Sequence, residues 1–216
     1  MLVRTRVYID GFNFYFAAFK HGRFSDYRWL DLPRFADNVL RGHRIEHVRY
    51  FTARVQPRPW KPDDLSQCRR QDDYLSALSS LARLTIHEAW FATSRVARPL
   101  TVSPVRGSRF VEVWETREKG SDVSLASFLL VDGFKDLYDT AVVVSDDSDL
   151  LDPVRLVRTE LGKRVGVVRV RRDRASVFRH EADFVYGVRP WQFRQAQLPQ
   201  NVTLGDGSVV SRPGGW

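Results

Sequence analysis

Carboxylates follow two strand-like segments of the sequence at the points where those segments end. Asp10 comes directly after the first segment, and Asp146, Asp147 and Asp149 come after a short apolar run near the middle of the second half. Because parallel strands end at the same edge of a sheet, these groups can converge although they lie far apart in the chain. Hard oxygen ligands of this kind suit Mg²⁺ or Mn²⁺. The spacing therefore predicts a metal site for one of these ions.

Other polar residues could complete this site. Asp122 opens a segment with helical spacing and could face the same edge, or could be an ordinary acidic first-turn residue that the helix dipole favours. Asn13, soon after Asp10, could hydrogen-bond a water or a phosphate, and Lys119 could contact a phosphate or pair with the acids. Asp149 equally suits the N-cap of a following helix.

The elements that must position these residues alternate between strands and helices. Strands are expected at Val3–Ile9, Leu84–Phe91 and Ala141–Val144, and helices after Asp31 and over 121–138. This order predicts an α/β fold with a doubly wound, mainly parallel sheet and helices on both faces. Residues 96–118 are expected to form a β-hairpin insertion. The main domain then covers residues 1–187, and residues 188–216 form an extended C-terminal tail that packs on the core.

The charge distribution suggests a polyanionic partner. The chain has 216 residues and a net charge of +8, yet residues 121–152 contain eight carboxylates and one lysine, so the remainder carries +15. Arginines with interleaved aromatic residues suit single-stranded nucleic acid. Candidate contacts to nucleic acid are Lys119, Arg69, Arg70, Arg171, Arg172 and Arg174. A solvated loop at 171–174 and core packing of the aromatic residues of 12–19 remain open alternatives.

Several classes of protein are excluded. Cys68 is the single cysteine, so an internal disulfide and a cysteine-based zinc site cannot form. No apolar run approaches the length of a membrane span, and the N-terminus lacks the pattern of a signal peptide. We therefore expect no membrane partner and a cytoplasmic location. There is no G-x-x-x-x-G-K-[ST] loop, and D-G-F-N after the first strand differs from the D-x-D of aspartyl phosphotransferases, which disfavours a nucleotide phosphatase.

Four segments together resemble the NYN domain family, specifically its LabA-like branch, over residues 6–186: YIDGFNFY, KGSDVSLASFLL, TAVVVSDDSDL and LGKRVGVV. The family is similar to PIN domains, and its members are commonly metal-dependent ribonucleases. The resemblance implies a PIN-like fold, a Mg²⁺ or Mn²⁺ cofactor and an RNA partner, either single-stranded or structured. The family's functional positions fall on Asp10, Asn13, Lys119, Asp122, Asp147 and Asp149.

One residue departs from the family pattern. The family usually has SGDSD where this chain has SDDSD, so Asp146 replaces a glycine. Asp146 could be a fifth metal ligand, or it could strain a turn that glycine favours. We therefore expect a metal-dependent endoribonuclease, and keep as the alternative a catalytically weak or inactive module that binds RNA or acts as a scaffold. A homodimer is compatible with either function.

Overall fold

The computed structural model describes residues 2–20, 23–62, 65–102, 107–171 and 177–216. Within them a seven-stranded sheet has the order β4-β3-β2-β1-β5-β6-β7. All neighbouring strands are parallel except β3 and β4, which are antiparallel. The strands are β1 (Val3–Asp10), β2 (His43–Ala53), β3 (Leu84–Pro99), β4 (Phe110–Lys119), β5 (Thr140–Val144), β6 (Arg164–Arg169) and β7 (Phe184–Gly187).

Helices connect the parallel strands. They are α1 (Gly11–Tyr15), α2 (Leu32–Val39), α3 (Ser66–Ser79), α4 (Ser121–Phe134), α5 (Leu151–Thr159) and α6 (Pro190–Arg194). A π-helical turn, Phe16–Lys20, continues α1, and single 3₁₀ turns occupy Ser25–Tyr27, Ser148–Leu150 and Val177–Arg179. Asp31 caps α2 as predicted, because its side chain accepts a hydrogen bond from the Arg34 amide.

The sheet separates two hydrophobic cores. Val7 and Ile9 of β1 belong to the core that also contains Phe14 and Phe35, whereas Tyr8 belongs to the core that contains Leu125. Successive side chains of a strand point to opposite faces, so the buried strands β1 and β5 need apolar residues on both. The predicted α/β fold with a mainly parallel sheet and helices on both faces is confirmed.

The predicted hairpin is present, and its two strands extend beyond the predicted residues 96–118. β3 does not end near Phe91 but continues to Pro99, and this extension pairs with β4 from Trp90–Lys119 to Pro99–Phe110. The two strands therefore form a ribbon that grows out of the main sheet instead of a separate hairpin. Residues 103–106 of the predicted turn lie outside the described part of the chain.

The C-terminal residues are more structured than an extended tail. They contain α6 and a small antiparallel hairpin of β8 (Asn201–Thr203) and β9 (Val209–Ser211). Phe193 is fully buried, and the Trp216 ring lies 5.5 Å from that of Tyr74, centroid to centroid. Trp29 Nε1 donates a hydrogen bond of 2.7 Å to the Pro199 carbonyl. These contacts join the segment to the core of the domain.

None of the helices in the described residues is long and apolar enough to cross a membrane.

Candidate active site

Asp10 lies at the carboxyl end of β1, beside the carboxyl end of β5. The two strands are adjacent and parallel, with Ile9 opposite Val144, so Asp10 and Ser145 leave the sheet together. Asp10 is only 4% exposed. The chain turns into α1 at once because Gly11 has no side chain: a Cβ there would lie 2.5 Å from the Phe51 carbonyl oxygen. Glycine at this position thus lets the buried carboxylate begin a helix against β2.

Both oxygens of Asp10 accept hydrogen bonds that fix the side chain. Oδ1 accepts from the Asn13 backbone amide at 3.0 Å, which caps α1, and Oδ2 accepts from Ser145 Oγ at 2.9 Å. Ser145 Oγ in turn accepts from the Asp147 backbone amide at 3.0 Å. Asn13 Oδ1 accepts from the Asp146 amide at 2.9 Å. The ends of β1 and β5 are therefore joined by hydrogen bonds from both sides.

Asp149 lies in the 3₁₀ turn Ser148–Leu150, and Asp147, whose backbone is extended, directly precedes that turn. Asp147 is the N-cap of this turn, and its Oδ1 accepts from the Asp149 amide at 3.0 Å. The predicted N-cap role of Asp149 is therefore wrong. Asp147 is half-buried and the Asp149 side chain is exposed.

Asp122 reaches the same edge because β4 brings the chain back to it. The last residue of β4, Lys119, pairs with Trp90, one residue beyond the end of the β2–β3 pairing at Ala53 and Ala89. Gly120 then takes a left-handed conformation with φ of 103°, and α4 starts with Asp122 in its first turn. We call the region formed by Asp10, Asp122, Asp147 and Asp149 the acidic edge.

Glu118 is a fifth carboxylate near the acidic edge that the sequence interpretation missed. It is half-buried at the end of β4, and its Oε1 accepts from the Ser121 backbone amide at 2.9 Å. The signal was present in the sequence, since Glu118 lies four residues before Asp122. Its relevance depends on the return of β4 to the sheet edge, which the local pattern does not indicate.

Two carboxylates of the acidic edge, Asp10 and Asp122, have raised pKa values. Burial raises the pKa of Asp10 to about 6, and the charges of Asp122 and Asp147 act in the same direction against the hydrogen bonds that lower it. Burial also raises the pKa of Asp122, as do the charges of Asp147, Glu118 and Asp149. The acidic edge is thus a region of negative potential whose acids destabilise one another when all are ionised.

The acidic edge fits a hard divalent cation in charge and in donor type. Carboxylate oxygens are the preferred ligands of Mg²⁺ and Mn²⁺, and a cation would relieve the mutual repulsion. Ser121 Oγ is buried beside Asp122 and has no hydrogen-bond partner within the described part of the chain, so a donor and acceptor is available there. Among the described residues, however, no three Asp, Glu, His or Cys side chains form a ready-made ligand group.

Asp146 points away from the acidic edge. Its Oδ1 accepts from Arg169 Nε at 2.6 Å, and its Oδ2 accepts from the backbone amides of Val170 and Arg171 at 3.3 and 3.1 Å. The side chains of Asp146 and Arg169 are 5% and 11% exposed. Asp146 also has no positive φ, so its turn does not require glycine. We therefore exclude Asp146 from the proposed ligands, and the strain expected from its replacement of glycine is absent.

The predicted nucleic-acid contacts occupy three places. Lys119 is exposed at the end of β4, and Arg171 is exposed after β6 at the same end of the parallel sheet. Arg69 and Arg70 lie on α3, where Arg69 is exposed and Arg70 lines a cleft next to α1. Arg172 and Arg174 lie outside the described residues. The structure thus brings basic residues to both sides of the acidic edge.

Comparisons with known proteins give a family, one curated relative and one similar fold. The NYN domain family model matches residues 4–188. The 6-hydroxy-3-succinoylpyridine 3-monooxygenase HspA of Pseudomonas putida (strain DSM 28022 / S16) is 30% identical over 190 residues, with 77% of this chain and 59% of HspA covered. This chain therefore spans less than two thirds of that relative's length.

The similar fold is a crystal structure of a protein of unknown function, VPA0982 from Vibrio parahaemolyticus RIMD 2210633. Its TM-score is 0.52 at 14% sequence identity, and the match covers 87% of this chain and 94% of that chain. A likeness at this identity supports the fold alone.

Proposed function

Because the chain belongs to the NYN domain family, whose members are generally nuclease-like, we propose that it is a divalent-metal-dependent endoribonuclease whose active site is the acidic edge. The observation that carries this proposal is the convergence of Asp10, Asp122 and Asp147, which follow β1, β4 and β5, respectively. Carboxylates that are partly buried next to one another repel and are poorly solvated, which costs folding free energy. Such an arrangement is typical of cation sites and of active sites. The coupled rise in the pKa values of Asp10 and Asp122 is the electrostatic result of that arrangement.

Asp10, Asp122, Asp147 and Asp149 would hold Mg²⁺ or Mn²⁺ in this proposal. When bound, such an ion supplies a Lewis acid for the scissile phosphate and lowers the pKa of water. Ser145 holds Asp10 in place through its hydroxyl, and the backbone amide of Asn13 holds the other oxygen. Since Asn13 Oδ1 is occupied by the Asp146 amide, its side-chain N–H groups remain as donors for a phosphate oxygen.

The basic residues would bring the RNA to a region that itself repels phosphate. Lys119 and Arg171 lie at the end of the sheet where the acids lie, and both are exposed. Long-range attraction by the net charge of +8 would favour encounter with the RNA backbone, and the cation would neutralise the acids locally. The substrate in this proposal is therefore RNA, cut within the strand.

The decisive experiment compares the wild type with Asp147→Asn on labelled single- and double-stranded RNA and DNA, in Mn²⁺, Mg²⁺ or EDTA. We expect cleavage of RNA by the wild type with either metal and none in EDTA. Asp147→Asn should lower the rate roughly 100-fold or more, because metal activation supplies several kcal/mol of the barrier. RNA binding should be retained or strengthened, since one negative charge near the phosphates is removed.

Asp152→Asn is the matched control. It makes the same chemical change at an exposed residue of α5 that pairs with Arg155, outside the acidic edge, and should cleave like the wild type. Equal, metal-independent background cleavage by the wild type and Asp147→Asn, with RNA binding retained by both, would reject the enzyme. That result would instead support an RNA-binding or scaffolding module.

The similarity to HspA supplies a second assay. The wild type is incubated aerobically with the pyridine in that relative's name and with a reduced nicotinamide as the two-electron donor that a monooxygenase needs, and product is measured by mass spectrometry. Turnover of the pyridine without cleavage of RNA would replace the ribonuclease proposal with a monooxygenase.

A further inference from the structure

A cleft of about 940 Å³ opens beside the acidic edge. Two of its walls are continuous with the candidate acids: Gly11 and Phe12 directly follow Asp10, and Glu118 precedes Asp122 by four residues. The opposite wall comes from the loop at residues 55–60 and from α3. A ligand in this cleft would therefore have one end at the candidate active site.

The lining of the cleft is aromatic. Phe12 and Phe91 pack edge to face with ring centroids 5.3 Å apart, and Phe16 and Trp60 are 42% and 60% exposed. Phe14 and Phe19 are buried in the core although they also border the cleft, whereas Phe12 is half-buried and Phe16 is exposed, so the aromatic segment after Asp10 serves both alternatives left open by the sequence. We call the cleft, with Phe12, Phe16, Trp60 and Phe91, the aromatic cleft.

The aromatic cleft is also electropositive. Among the described residues that line it, Glu118 is the only Asp or Glu, and four side chains are cationic: Lys20, Arg28, Arg58 and Arg70. Arg58 and Arg70 form no ion pair with any of the residues that the structure describes, so their charges are not neutralised within that part of the chain. Aromatic faces beside unpaired guanidinium groups suit stacked bases and their phosphates.

The β3–β4 ribbon extends the aromatic cleft away from the acidic edge. Residues directly opposite each other in an antiparallel pair share a face, so the face that begins at Phe91 and Glu118 continues along the ribbon. Its further pairs are Thr93–Thr116, Arg95–Trp114, Ala97–Glu112 and Pro99–Phe110. Thr93 and Thr116 also line the cleft itself.

The outer part of this face carries further exposed rings. The Arg95 guanidinium lies 5.6 Å from the Trp114 ring centroid, and Trp114 and Phe110 are 46% and 58% exposed. Trp114 lies four positions along the strand from Glu118, and Phe110 lies four positions further, which is roughly 14 Å in each case. A ligand that contacts all of them must be an extended chain.

We propose that the aromatic cleft and this ribbon face bind the unpaired nucleotides on one side of the scissile phosphate, which makes single-stranded RNA the substrate class. The proposal rests on the ribonuclease function proposed above. Bases in a duplex hide their faces from protein side chains, whereas unpaired bases can stack on the rings of Trp60, Trp114 and Phe110. The positive lining and the continuity with the acidic edge favour this occupant over an apolar protein segment.

The test measures RNA binding without cleavage. In EDTA, fluorescence anisotropy gives the Kd of a labelled single-stranded RNA of roughly 12 nucleotides, within the usual length range of such sites. We expect Trp114→Ala and Phe110→Ala each to weaken binding about tenfold, and Trp114→Phe to retain most of the affinity, because a ring is kept. A duplex of the same sequence should bind more weakly than the single strand.

The matched control is Phe134→Ala. Phe134 is 84% exposed at the carboxyl end of α4, far along the helix from Asp122, and its loss should leave the Kd unchanged. Arg58→Gln and Arg70→Gln test the cleft without touching the ribbon. Each should reduce the slope of log K against log salt by about 0.7 if it removes one phosphate contact.

The outcomes separate this inference from the function on which it rests. If the ribbon and cleft variants bind and cleave RNA as the wild type does, while Asp147→Asn abolishes cleavage, the proposed RNA-binding surface is wrong and the proposed nuclease function is supported. If those variants lose binding but the wild type cleaves nothing in Mn²⁺, the proposed RNA-binding surface is supported and the proposed nuclease function is wrong. The proposed RNA-binding surface is also wrong if duplex and single strand bind with equal affinity, or if Phe134→Ala weakens RNA binding as much as the ribbon variants do.

Discussion

Ser145 Oγ donates a hydrogen bond of 2.9 Å to Asp10 Oδ2 and so connects two residues that lie 135 positions apart in the sequence. The same hydroxyl accepts from the Asp147 amide at 3.0 Å. A single buried serine therefore fixes both the carboxylate that follows β1 and the turn that carries the next two acids. In metal sites such supporting groups orient the ligands and set their protonation.

Ser145→Ala should lower cleavage about 10- to 100-fold with a smaller effect on stability, as is typical for residues that orient metal ligands. Because the serine hydrogen bond lowers the pKa of Asp10, its loss should also move the acidic limb of the pH–rate profile to higher pH. The measurement is the cleavage rate from pH 5 to 8 in Mn²⁺. Ser127→Ala, whose hydroxyl bonds only to the Val123 carbonyl of α4, is the control. An unchanged profile in Ser145→Ala would contradict a positioning role.

The raised pKa of Asp10 predicts how pH affects stability in EDTA. Burial moves this pKa from 3.8 to about 6, so between these values the folded protein binds more protons than the unfolded one. The free energy of unfolding should therefore fall by on the order of 3 kcal/mol at most as pH rises from about 4 to 6, and should then level off. Thermal unfolding across this range measures the effect, and Asp10→Asn should remove it. If the wild type gained more stability than Asp10→Asn as the pH rises from about 4 to 6, the raised pKa of Asp10 would be contradicted.

Metal binding should show the opposite pH dependence. A divalent cation and a proton compete for Asp10, so the rise in Tm that Mn²⁺ causes should be small near pH 5 and full above about pH 7. Differential scanning calorimetry in Mn²⁺ and in EDTA at both pH values tests this. Mg²⁺ should raise the Tm with the same pH dependence. A rise in Tm that does not depend on pH would exclude Asp10 as a metal ligand.

Asp146→Gly restores the residue usual in the family but should destabilise this protein. The carboxylate accepts from Arg169 and from two backbone amides after β6, and both charged side chains are largely buried. Removing one partner of a buried ion pair typically costs about 3 kcal/mol or more. Urea unfolding should show this loss, while cleavage per folded molecule in Mn²⁺ is largely kept. A rate loss comparable with that of Asp147→Asn at unchanged stability would reinstate Asp146 as a ligand.

Asp132 should contribute to stability and to resistance against acid. Asp132 lies on α4 and is 1% exposed. Burial raises its pKa, but hydrogen bonds from Arg49, Tyr8 and Arg6 lower the pKa by a larger amount. Its pKa is thus below the ordinary value, so its stabilising effect is present above about pH 4 and is lost as pH falls through the folded-state pKa. Asp132→Asn should cost about 3 kcal/mol at pH 7.5 by urea unfolding, and less at pH 3. The exposed Asp152→Asn should change little, and equal midpoints for all three proteins would contradict this role.

Much of the fold could be predicted because its signals are local. The fully buried strand β5 follows from a short apolar run, and the start of α2 follows from the side chain of Asp31. Boundaries that depend on backbone conformation were less predictable: α4 ends at Phe134, four residues before the expected end, and Asp136 takes a φ of 55° that a helix cannot continue.

The sequence by itself determined that Asp10 and Asp147 lie at the ends of parallel strands, because strand periodicity and the direction of β-α-β connections are encoded locally. Only the tertiary structure decided which way Asp146 points, since the position of Arg169 depends on the pairing of β5 with β6. It likewise decided that the β3–β4 ribbon carries Asp122 to the acidic edge. Strand register is a property of two segments together, and the local pattern of either one does not specify the partner.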